Sequence, residues 1–380
     1  MIKSISLKNF KCYVDSGIIP FSRINVLTGL NGRGKSTVLQ AILLLAQSIS
    51  LDGIDKLSLC GRLYELGEFD DALNRGCTDD FLEFSVETDD LSDHSLNMAL
   101  TRDNSDPSSA AFLNFSVDGK DRMIEEGLFS RGDESPLYSK DGHKLTVRVL
   151  GSTSDIAGLR AFRNLTYISA DRRGPVNSQR YESSRSSFSL NPTGDNLLAV
   201  MDKMSKEQIR SVTSALSSIM HGGSLRLEQT EDNVNLYMDS SDGGALYKPT
   251  NVGYGYGYLL SVLVALELAE NKSAFIIENP EAHLHPGAQT MLMNHIVTIA
   301  AKKNLQIFVE THSDHIINSL LVEVKKGEVP ESDLSVLFFA KEDGSIAVMP
   351  LKVDKQGRIS DAPKDFFDEI DKSLEILVGF

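Results

Sequence analysis

The stretch that most constrains the fold of this chain is a glycine-rich loop at residues 29–37, GLNGRGKST. It matches the phosphate-binding pattern G-x-x-x-x-G-K-[ST] completely. A short β-branched run, RINVLTG, precedes the loop, and a long apolar run, STVLQAILLLAQSIS, follows it. Strand, glycine loop and helix are the context that a nucleotide-binding loop requires, so we predict a nucleotide site here. A chance glycine turn is the alternative, and the complete motif in this context disfavours it.

Each residue type in this loop has a predicted role. The glycines at positions 29, 32 and 34 let backbone N–H groups turn toward phosphate oxygens. The N-terminus of the following helix adds the positive end of its dipole. Lys35 is expected to reach the β- and γ-phosphates, and Ser36 to bind Mg²⁺. We also expect Lys35 to be an exposed loop charge that contributes little to stability.

Composition narrows the choice of partners. The 380 residues are 41% hydrophobic and 24% charged, as in ordinary soluble globular proteins. The net charge of −15 disfavours general binding to DNA or anionic membranes, although a local basic groove is left open. The three cysteines predict reduced thiols, not a disulfide framework or a zinc site. With no signal-peptide pattern and no run of membrane-spanning length, we expect a cytoplasmic protein.

A second informative stretch is SAFIIENPEAHLHP, residues 273–286. Four apolar residues end in Glu278, and Glu281 follows three positions later. A carboxylate at the tip of a buried strand suits Mg²⁺ binding in P-loop proteins, and a second carboxylate can orient or deprotonate water. The alternative is a strand end followed by a charged turn, and the complete phosphate-binding loop favours the functional interpretation.

A third stretch, LQIFVETHSDHIINSL at residues 305–320, predicts another strand that ends in polar residues. His312 lies just past this strand, where a histidine of a P-loop fold can contact a γ-phosphate. A single histidine is more often structural. A metal cluster of histidines is disfavoured, because the spacings fall on turns and no cysteine supports them.

A fourth stretch, PTNVGYGYGYLLSVLVALELAE at residues 249–270, carries Gly253, Gly255 and Gly257. We expect these glycines to precede a helix and to form a second anion site. The stretch has no Lys and no Mg²⁺ ligand, so it would act by closing over a phosphate held by another subunit's loop. A flexible glycine loop with surface tyrosines is the alternative.

The remaining sequence predicts secondary structure more than chemistry. DFLEFSVE, AAFLNFSV and HKLTVRVL read as antiparallel strands, and LTYISADRRGP as a strand and a turn. Arg172 and Arg173 in that turn favour structural salt bridges over phosphate contact. NLLAVMDKMSKEQIRSVTSALSSIM predicts a helical stretch, GSIAVMPLKVDKQGRI a hairpin and FFDEIDKSLEILV a final helix.

Taken in order, the motifs resemble ABC-type ATPase heads of SMC, RecF and OLD-like proteins, and more narrowly the AAA-family ATPases related to OLD heads. The matching segments are ISLKNFKCY, NGRGKSTVLQAILLLAQS, ISADRRGP, NVGYGYGY, IENPEAHLHP, ETHSDHIINSL and PKDFFDE. The resemblance runs from Met1 to the C-terminus and is weak through the middle. It implies an α/β P-loop NTPase fold of the ABC-head type with a mixed β-rich insertion, and it implies ATP and Mg²⁺ as ligands.

The resemblance also implies roles for individual residues. Glu278 would be the Walker B acid, residues 253–258 the signature loop and His312 the switch histidine. The Walker A loop would be formed by Asn31, Gly32, Arg33, Gly34, Lys35, Ser36 and Thr37. Two positions depart from the family pattern. Gly257 and Tyr258 replace a common Ser-Gln, and Asn279 replaces the glutamate that often follows the Walker B acid. Glu281 is then the best candidate for the catalytic base, and fast hydrolysis is in doubt.

Features missing from the sequence also discriminate among relatives. Residues 50–251 show no heptad repeat of the SMC type. Too few residues follow His312 for the nuclease domain of an OLD protein. The order of motifs predicts a discontinuous ATPase core, residues 1–75 and 245–380, around an insertion at residues 76–244.

We therefore expect an ATPase that dimerises, or forms a higher oligomer, around ATP and gates or drives a separate effector protein such as a nuclease. By analogy, phage defence or DNA repair is the expected setting. Nucleic acid is left open as a partner, and no membrane is expected. A slow-turnover nucleotide switch or nucleic-acid-associated scaffold is the alternative, and a small-molecule kinase would explain neither the second glycine segment nor the histidine.

Overall fold

The computed structural model divides into two compact units, Met1–Asn164 with Ser335–Lys352 and Leu165–Leu334 with Val353–Phe380. The residues that the structure describes are 1–49, 54, 56–89, 95–118, 120–121, 137–138, 144–145, 157–180, 189–239, 244–342, 345–360, 362–363, 366 and 377. The predicted domain boundaries, after residues 75 and 244, stay a prediction.

Strands and helices are numbered along the chain. The strands are Ile2–Phe10 (β1), Tyr13–Asp15 (β2), Ile19–Pro20 (β3), Ile24–Gly29 (β4), Leu57–Ser58 (β5), Phe81–Thr88 (β6), Ser95–Arg102 (β7), Ser109–Val117 (β8), Lys120–Asp121 (β9), Leu137–Tyr138 (β10), Lys144–Leu145 (β11), Thr166–Ile168 (β12), Ser178–Arg180 (β13), Ser224–Gln229 (β14), Asn233–Asp239 (β15), Ala274–Glu278 (β16), Gln306–Glu310 (β17), Leu334–Glu342 (β18), Ser345–Val353 (β19) and Ile359–Ser360 (β20). The helices are Lys35–Ser48 (α1), Phe69–Ala72 (α2), Leu197–Lys203 (α3), Lys206–Ile219 (α4), Tyr254–Leu268 (α5), Pro286–Lys303 (α6) and Asp314–Lys326 (α7).

The first unit contains a sheet in the order β2-β1-β6-β7-β8-β5, with β3 paired to β1 and β9 to β8. All of these pairs are antiparallel. Alternate residues of β6 and β7 are buried, the period-two pattern of a sheet with one covered face. Phe10 and Phe84 meet edge to face on that side, with ring centroids 5.0 Å apart. The predicted antiparallel strands DFLEFSVE and AAFLNFSV are therefore confirmed.

The same unit holds the strand and helix that flank the glycine loop. Five of the six residues of β4 are buried. β4 adjoins β18 in a different sheet from the one that contains β1 and β6. Helix α1 is buried on most of its surface, which its continuous apolar sequence predicts. The predicted strand, loop and helix around residues 29–37 are confirmed.

The second unit is built on three parallel strands in the order β12-β16-β17. Residues Ala274–Ile277 are buried, as are all five residues of β17, and such continuous apolar burial is typical of a covered parallel sheet. Because parallel strands end at the same edge, the polar residues that follow β12, β16 and β17 are brought to one place. Helices α5, α6 and α7 belong to this unit, and α6 packs on α7.

A smaller antiparallel sheet, in the order β13-β15-β14, completes the second unit together with α3 and α4. The predicted helical stretch is two helices, because Met204 has extended backbone and Ser205 is the N-cap of a new helix that begins at Lys206. The Ser205 hydroxyl accepts from the Gln208 N–H in a capping box.

Two predictions fall partly or wholly outside the described residues. Of the predicted strand HKLTVRVL, only Lys144 and Leu145 are described, and both belong to β11. The predicted final helix, FFDEIDKSLEILV, lies almost entirely outside the described residues. In the described part of the chain, no helix combines the length and apolarity needed to cross a membrane.

Candidate nucleotide-binding and catalytic site

The glycine loop connects β4 to α1 through left-handed backbone conformations. Gly29, Gly32 and Gly34 have φ values of 126°, 69° and 87°, and Gly34 is the N-cap of α1. L-residues with a side chain rarely adopt such values, so the sequence pattern follows directly from the backbone. The helix therefore begins at Lys35, directly after the last glycine of the loop.

Two of these glycines also lie against parts of the chain far away in sequence. A Cβ on Gly29 would collide with the backbone of Phe339, whose nitrogen would lie 2.8 Å away. A Cβ on Gly34 would collide with the Tyr13 hydroxyl, which donates a hydrogen bond to Gly34 O at 3.1 Å. Gly32 has no atom within 4 Å of the same position. Close packing thus restricts both ends of the loop, while its centre is open.

Lys35 is 3% exposed, so the expectation of an exposed loop charge is wrong. Its ammonium donates to Gly29 O at 3.0 Å and to Leu30 O at 2.9 Å. Both acceptors belong to the loop itself, so the side chain folds back over the loop. Of the other loop residues, Asn31 and Gly32 are exposed, Arg33 and Ser36 are half-buried, and Gly34 and Thr37 are buried.

In the second unit, Glu278 ends β16 and is aligned with Glu310 at the end of β17. The Ala170 N–H, just past β12, donates to Glu278 Oε2 at 3.2 Å. Burial raises the pKa of Glu278 above its ordinary value, and this backbone hydrogen bond opposes the rise. The carboxylate thus lies at the shared edge of three strands, in an environment that favours its protonated form.

The turn after Glu278 brings the predicted catalytic residues together. Asn279 has a left-handed φ of 45°, and its N–H donates to Glu310 O at 2.8 Å. Glu281 Oε1 accepts from the His312 backbone N–H at 2.9 Å. Asn279 Oδ1 and Glu281 Oε2 are both buried and have no hydrogen-bond partner among the described residues. Two acceptors on one turn are therefore available to a ligand or water.

His312 is exposed and lies between β17 and α7. The next residue, Ser313, caps α7 by accepting from the Ile316 N–H, and its hydroxyl donates to Gln289 Oε1 at 2.6 Å. These contacts fix the backbone on which His312 is carried. In the described ranges, no group of three or more His, Cys, Asp or Glu side chains is placed to hold a metal ion.

The second glycine segment differs from its prediction. Only Gly253 precedes α5, whereas Gly255 and Gly257 lie inside its first turns and are buried. A Cβ on Gly255 would lie 2.6 Å from His283 O, and one on Gly257 would lie 2.7 Å from the Cα of Pro175. Close approach of neighbouring backbone explains both glycines and offsets their low helix propensity. Gly253 is exposed, and a Cβ there would meet only Tyr256, at 4.0 Å.

Arg172 is the residue at this edge whose role the sequence did not indicate. The sequence favoured a structural salt bridge, but in the described part of the chain the guanidinium donates to three backbone carbonyls and to no carboxylate. Two of those carbonyls are on Glu278 and Asn279, more than a hundred residues along the chain. The sequence shows a pair of arginines directly after a predicted strand, and this pattern does not indicate which groups Arg172 contacts.

The fold and these residues define a P-loop NTPase of the ABC-ATPase-head type. Two solved structures support this fold. A crystal structure of an Smc head bound to the C-winged helix domain of ScpA is 14% identical, has a TM-score of 0.55 and matches over 93% of this chain and 98% of that chain. A Pyrococcus furiosus Smc head with an extended coiled coil, bound to the C-terminal domain of ScpA, is 12% identical and has a TM-score of 0.51. The match covers 100% of this chain and 98% of that chain.

The chain belongs to the AAA family described as "AAA domain, putative AbiEii toxin, Type IV TA system", whose profile matches residues 24–318. Residues 329–377 match a family of proteins of unknown function, DUF3696. Among curated relatives, an OLD nuclease of Thermus scotoductus is 25% identical over 82% of this chain and 59% of its own length. An ATP/GTP phosphatase of Helicobacter pylori is 20% identical over 92% of this chain and 94% of its own length. The chain thus spans less than two thirds of the OLD nuclease, and the resemblance to AAA-family and OLD-like heads is confirmed.

Proposed function

We propose that the chain is an ATP-hydrolysing enzyme that binds ATP with Mg²⁺ at residues 29–37. The observation that carries the proposal is the glycine-lined loop at the N-terminus of α1, with the Lys35 ammonium folded over it. An anion entering this loop would offer Lys35 stronger acceptors than the Gly29 and Leu30 carbonyls, because hydrogen bonds to charged groups are the stronger ones. The family and the relative named as an ATP/GTP phosphatase support hydrolysis.

The residues fit a magnesium nucleotide by ligand type. Ser36 supplies a hydroxyl and Glu278 a strand-end carboxylate, and Mg²⁺ prefers oxygen ligands. When bound, Mg²⁺ neutralises charge on the transferred phosphoryl group. The raised pKa of Glu278 is consistent with a buried carboxylate that a cation would stabilise in its charged form.

Glu281 is the proposed base for the attacking water. One of its carboxylate oxygens accepts from the His312 N–H, so the side chain is oriented, while the other is buried without a hydrogen-bond partner among the described residues and can accept a proton. Asn279 is proposed to orient the water through its buried, unpartnered Oδ1, and His312 to contact the γ-phosphate.

A slow-turnover switch is the second candidate, and a specific observation favours it. Asn279 occupies the position after the strand-end acid, and its side chain cannot act as a base. If Glu281 is a poor base, ATP would hold one conformation for long periods instead of being consumed rapidly. A nucleic-acid-associated scaffold would use the same slow cycle.

We further propose that ATP joins two copies into a homodimer, or a higher oligomer, that drives a separate effector protein such as a nuclease. The part of the second glycine segment open to a partner is the N-terminus of α5, where Gly253 and Tyr254 are exposed. A nuclease is the effector class suggested by the OLD relative, and phage defence or DNA repair is the proposed setting. Nucleic acid is left open, no membrane role is proposed, and the location is cytoplasmic.

The dimer can be tested without disturbing the chain's own packing. Gly253→Phe should leave ATP affinity of the monomer unchanged, abolish the ATP-dependent increase in mass by light scattering, and reduce turnover. Asn271→Phe, at an exposed position three residues past the end of α5, is the matched control and should behave as wild type. Mixing Gly253→Phe with Lys35→Ala should restore part of the turnover through one intact composite site. A wild-type chain that hydrolyses ATP as a monomer would refute the dimer but leave the ATPase in place.

A further inference from the structure

Arg172 joins the carboxyl ends of two neighbouring strands. It follows β12 and is 4% exposed. Its Nη1 donates to Ser169 O at 2.9 Å and to Glu278 O at 2.7 Å, and its Nη2 donates to Asn279 O at 2.6 Å. A planar guanidinium can hold two adjacent carbonyls of one turn at the same time, whereas a lysine ammonium is a single point of charge. The carbonyls of the predicted acid and of the residue after it are therefore fixed by one side chain.

The charge of Arg172 is buried without a direct ion pair among the described residues. Burial lowers its pKa to about 10, and the nearby carboxylates of Glu281 and Glu278 act in the opposite direction. The side chain is therefore still a cation at neutral pH. A buried cation that is held by backbone carbonyls is costly to stability, and an apolar side chain in its place would leave three carbonyls without this donor. The nearby carboxylates of Glu281 and Glu278 stabilise the charged form of Arg172.

The turn that Arg172 holds is itself under constraint. Asn279 has a φ of 45°, a conformation that non-glycine residues seldom adopt. Three buried polar atoms here have no partner among the described residues: Arg172 Nε, Asn279 Oδ1 and Glu281 Oε2. Unsatisfied buried groups and unusual backbone tend to cluster at functional sites. The three atoms mark the turn as prepared for a ligand.

We propose that Arg172 is the positioning residue of the catalytic turn: it fixes Asn279 in its left-handed conformation and thereby sets the directions of the Glu278 and Glu281 carboxylates. Arg172 acts through these residues and does not itself bind the nucleotide. The inference deepens the proposed ATPase function and rests on it. It predicts that loss of the guanidinium slows the chemical step while nucleotide binding persists, because Lys35 and the rest of the phosphate loop are unchanged.

The test compares Arg172→Met and Arg172→Lys with the same substitutions at Arg173, its exposed neighbour, in the full chain. Steady-state phosphate release gives kcat and KM, a fluorescent ATP analogue gives affinity, and thermal unfolding monitors the fold. Arg172→Met should lower kcat about 10–100-fold, the range found when an outer-shell partner is removed. KM and affinity should stay near wild type, which indicates a loss confined to the transition state. Arg172→Lys, which keeps the charge and loses the fork, should recover part of kcat.

The outcomes separate this inference from the function on which it rests. Wild-type kcat in folded Arg172→Met would overturn it, as would parallel losses of kcat, affinity and melting temperature in both Arg172 variants, because such losses indicate a structural contact only. If Arg172→Met fails to fold, Arg172→Lys decides, since wild-type kcat there would show that the fork is unnecessary. A wild-type chain without Lys35-dependent turnover would refute the proposed ATPase, and the inference with it.

Discussion

The phosphate loop and the turn after β16 both carry residues with predicted functional roles, but the two segments differ in how the polar groups of those residues are hydrogen-bonded. In the loop, the Lys35 ammonium donates to the Gly29 and Leu30 carbonyls and the Tyr13 hydroxyl donates to the Gly34 carbonyl, so hydrogen bonds within the chain hold the loop in shape. In the turn, Asn279 and Glu281 each have a buried polar atom that no described residue hydrogen-bonds. The loop therefore fits its proposed role in nucleotide binding, whereas the turn fits its proposed role in the chemical step. This comparison separates binding from chemistry, and the following predictions test that separation.

The largest effect is expected from Lys35→Ala. Removal of the ammonium that is proposed to contact the phosphates should lower kcat/KM for ATP by about 10²–10³-fold. Affinity for a fluorescent ATP analogue should be lost as well, while the far-UV spectrum stays that of the folded chain. Lys8→Ala, which removes an exposed lysine paired with Glu83, is the control and should leave both measurements unchanged. Unchanged ATP affinity in Lys35→Ala would refute the assignment of the loop.

The next largest effect is expected from Glu281→Gln. Loss of the base should lower kcat about 10²-fold or more, while ATP affinity stays near wild type. Because the amide oxygen can still accept from the His312 N–H, the turn should keep its shape. ATP should then accumulate on a trapped dimer, detectable by light scattering. Normal turnover in this variant would move the role of base elsewhere, and orientation of water by Asn279 would become the leading explanation.

A smaller effect, on stability, should distinguish two glycines of the same loop. Gly32→Ala incurs only the cost of left-handed backbone, about 1–2 kcal/mol, since no atom lies near its Cβ position. Gly34→Ala incurs that cost and a collision with the Tyr13 hydroxyl, so its free energy of unfolding should fall further. Adding Tyr13→Phe should recover part of the Gly34→Ala loss and none of the Gly32→Ala loss. Equal losses measured in urea would contradict the proposed packing.

The smallest effect concerns Glu278 and pH. Burial raises its pKa in the folded state, so the charged carboxylate destabilises the fold above that pKa, and the penalty is absent below the ordinary value of 4.5. Glu278→Gln should therefore increase the free energy of unfolding near pH 7, and the gain should shrink as the pH falls. Glu231→Gln, at an exposed position, should show no such trend. In contrast to the stability gain, Mg²⁺-dependent ATP binding by Glu278→Gln should weaken.

Whether the sequence could predict a feature depended on how far apart in sequence its contacting residues lie. The strand-loop-helix around Lys35 and the strands ending in Glu278 and Glu310 depend on neighbouring residues, and local patterns predicted them. The role of Arg172 depends on carbonyls more than a hundred residues away, which no local pattern encodes. The glycines at 255 and 257 were misplaced for the same reason: their packing partners, His283 and Pro175, lie on other segments, so a helix interior resembled a loop.

The residues that pack against the phosphate loop, Tyr13 and Phe339, matter for the design of shortened versions of this chain. The nine residues of the motif are contiguous, and the family profile covers them within residues 24–318. A fragment cut to that match would keep every letter of the motif. It would lose the Tyr13 hydroxyl that holds Gly34 O and the Phe339 backbone against which Gly29 packs. The smallest piece that carries the nucleotide motif is therefore not the smallest piece that shapes it, and both ends of the chain are needed for the loop between them.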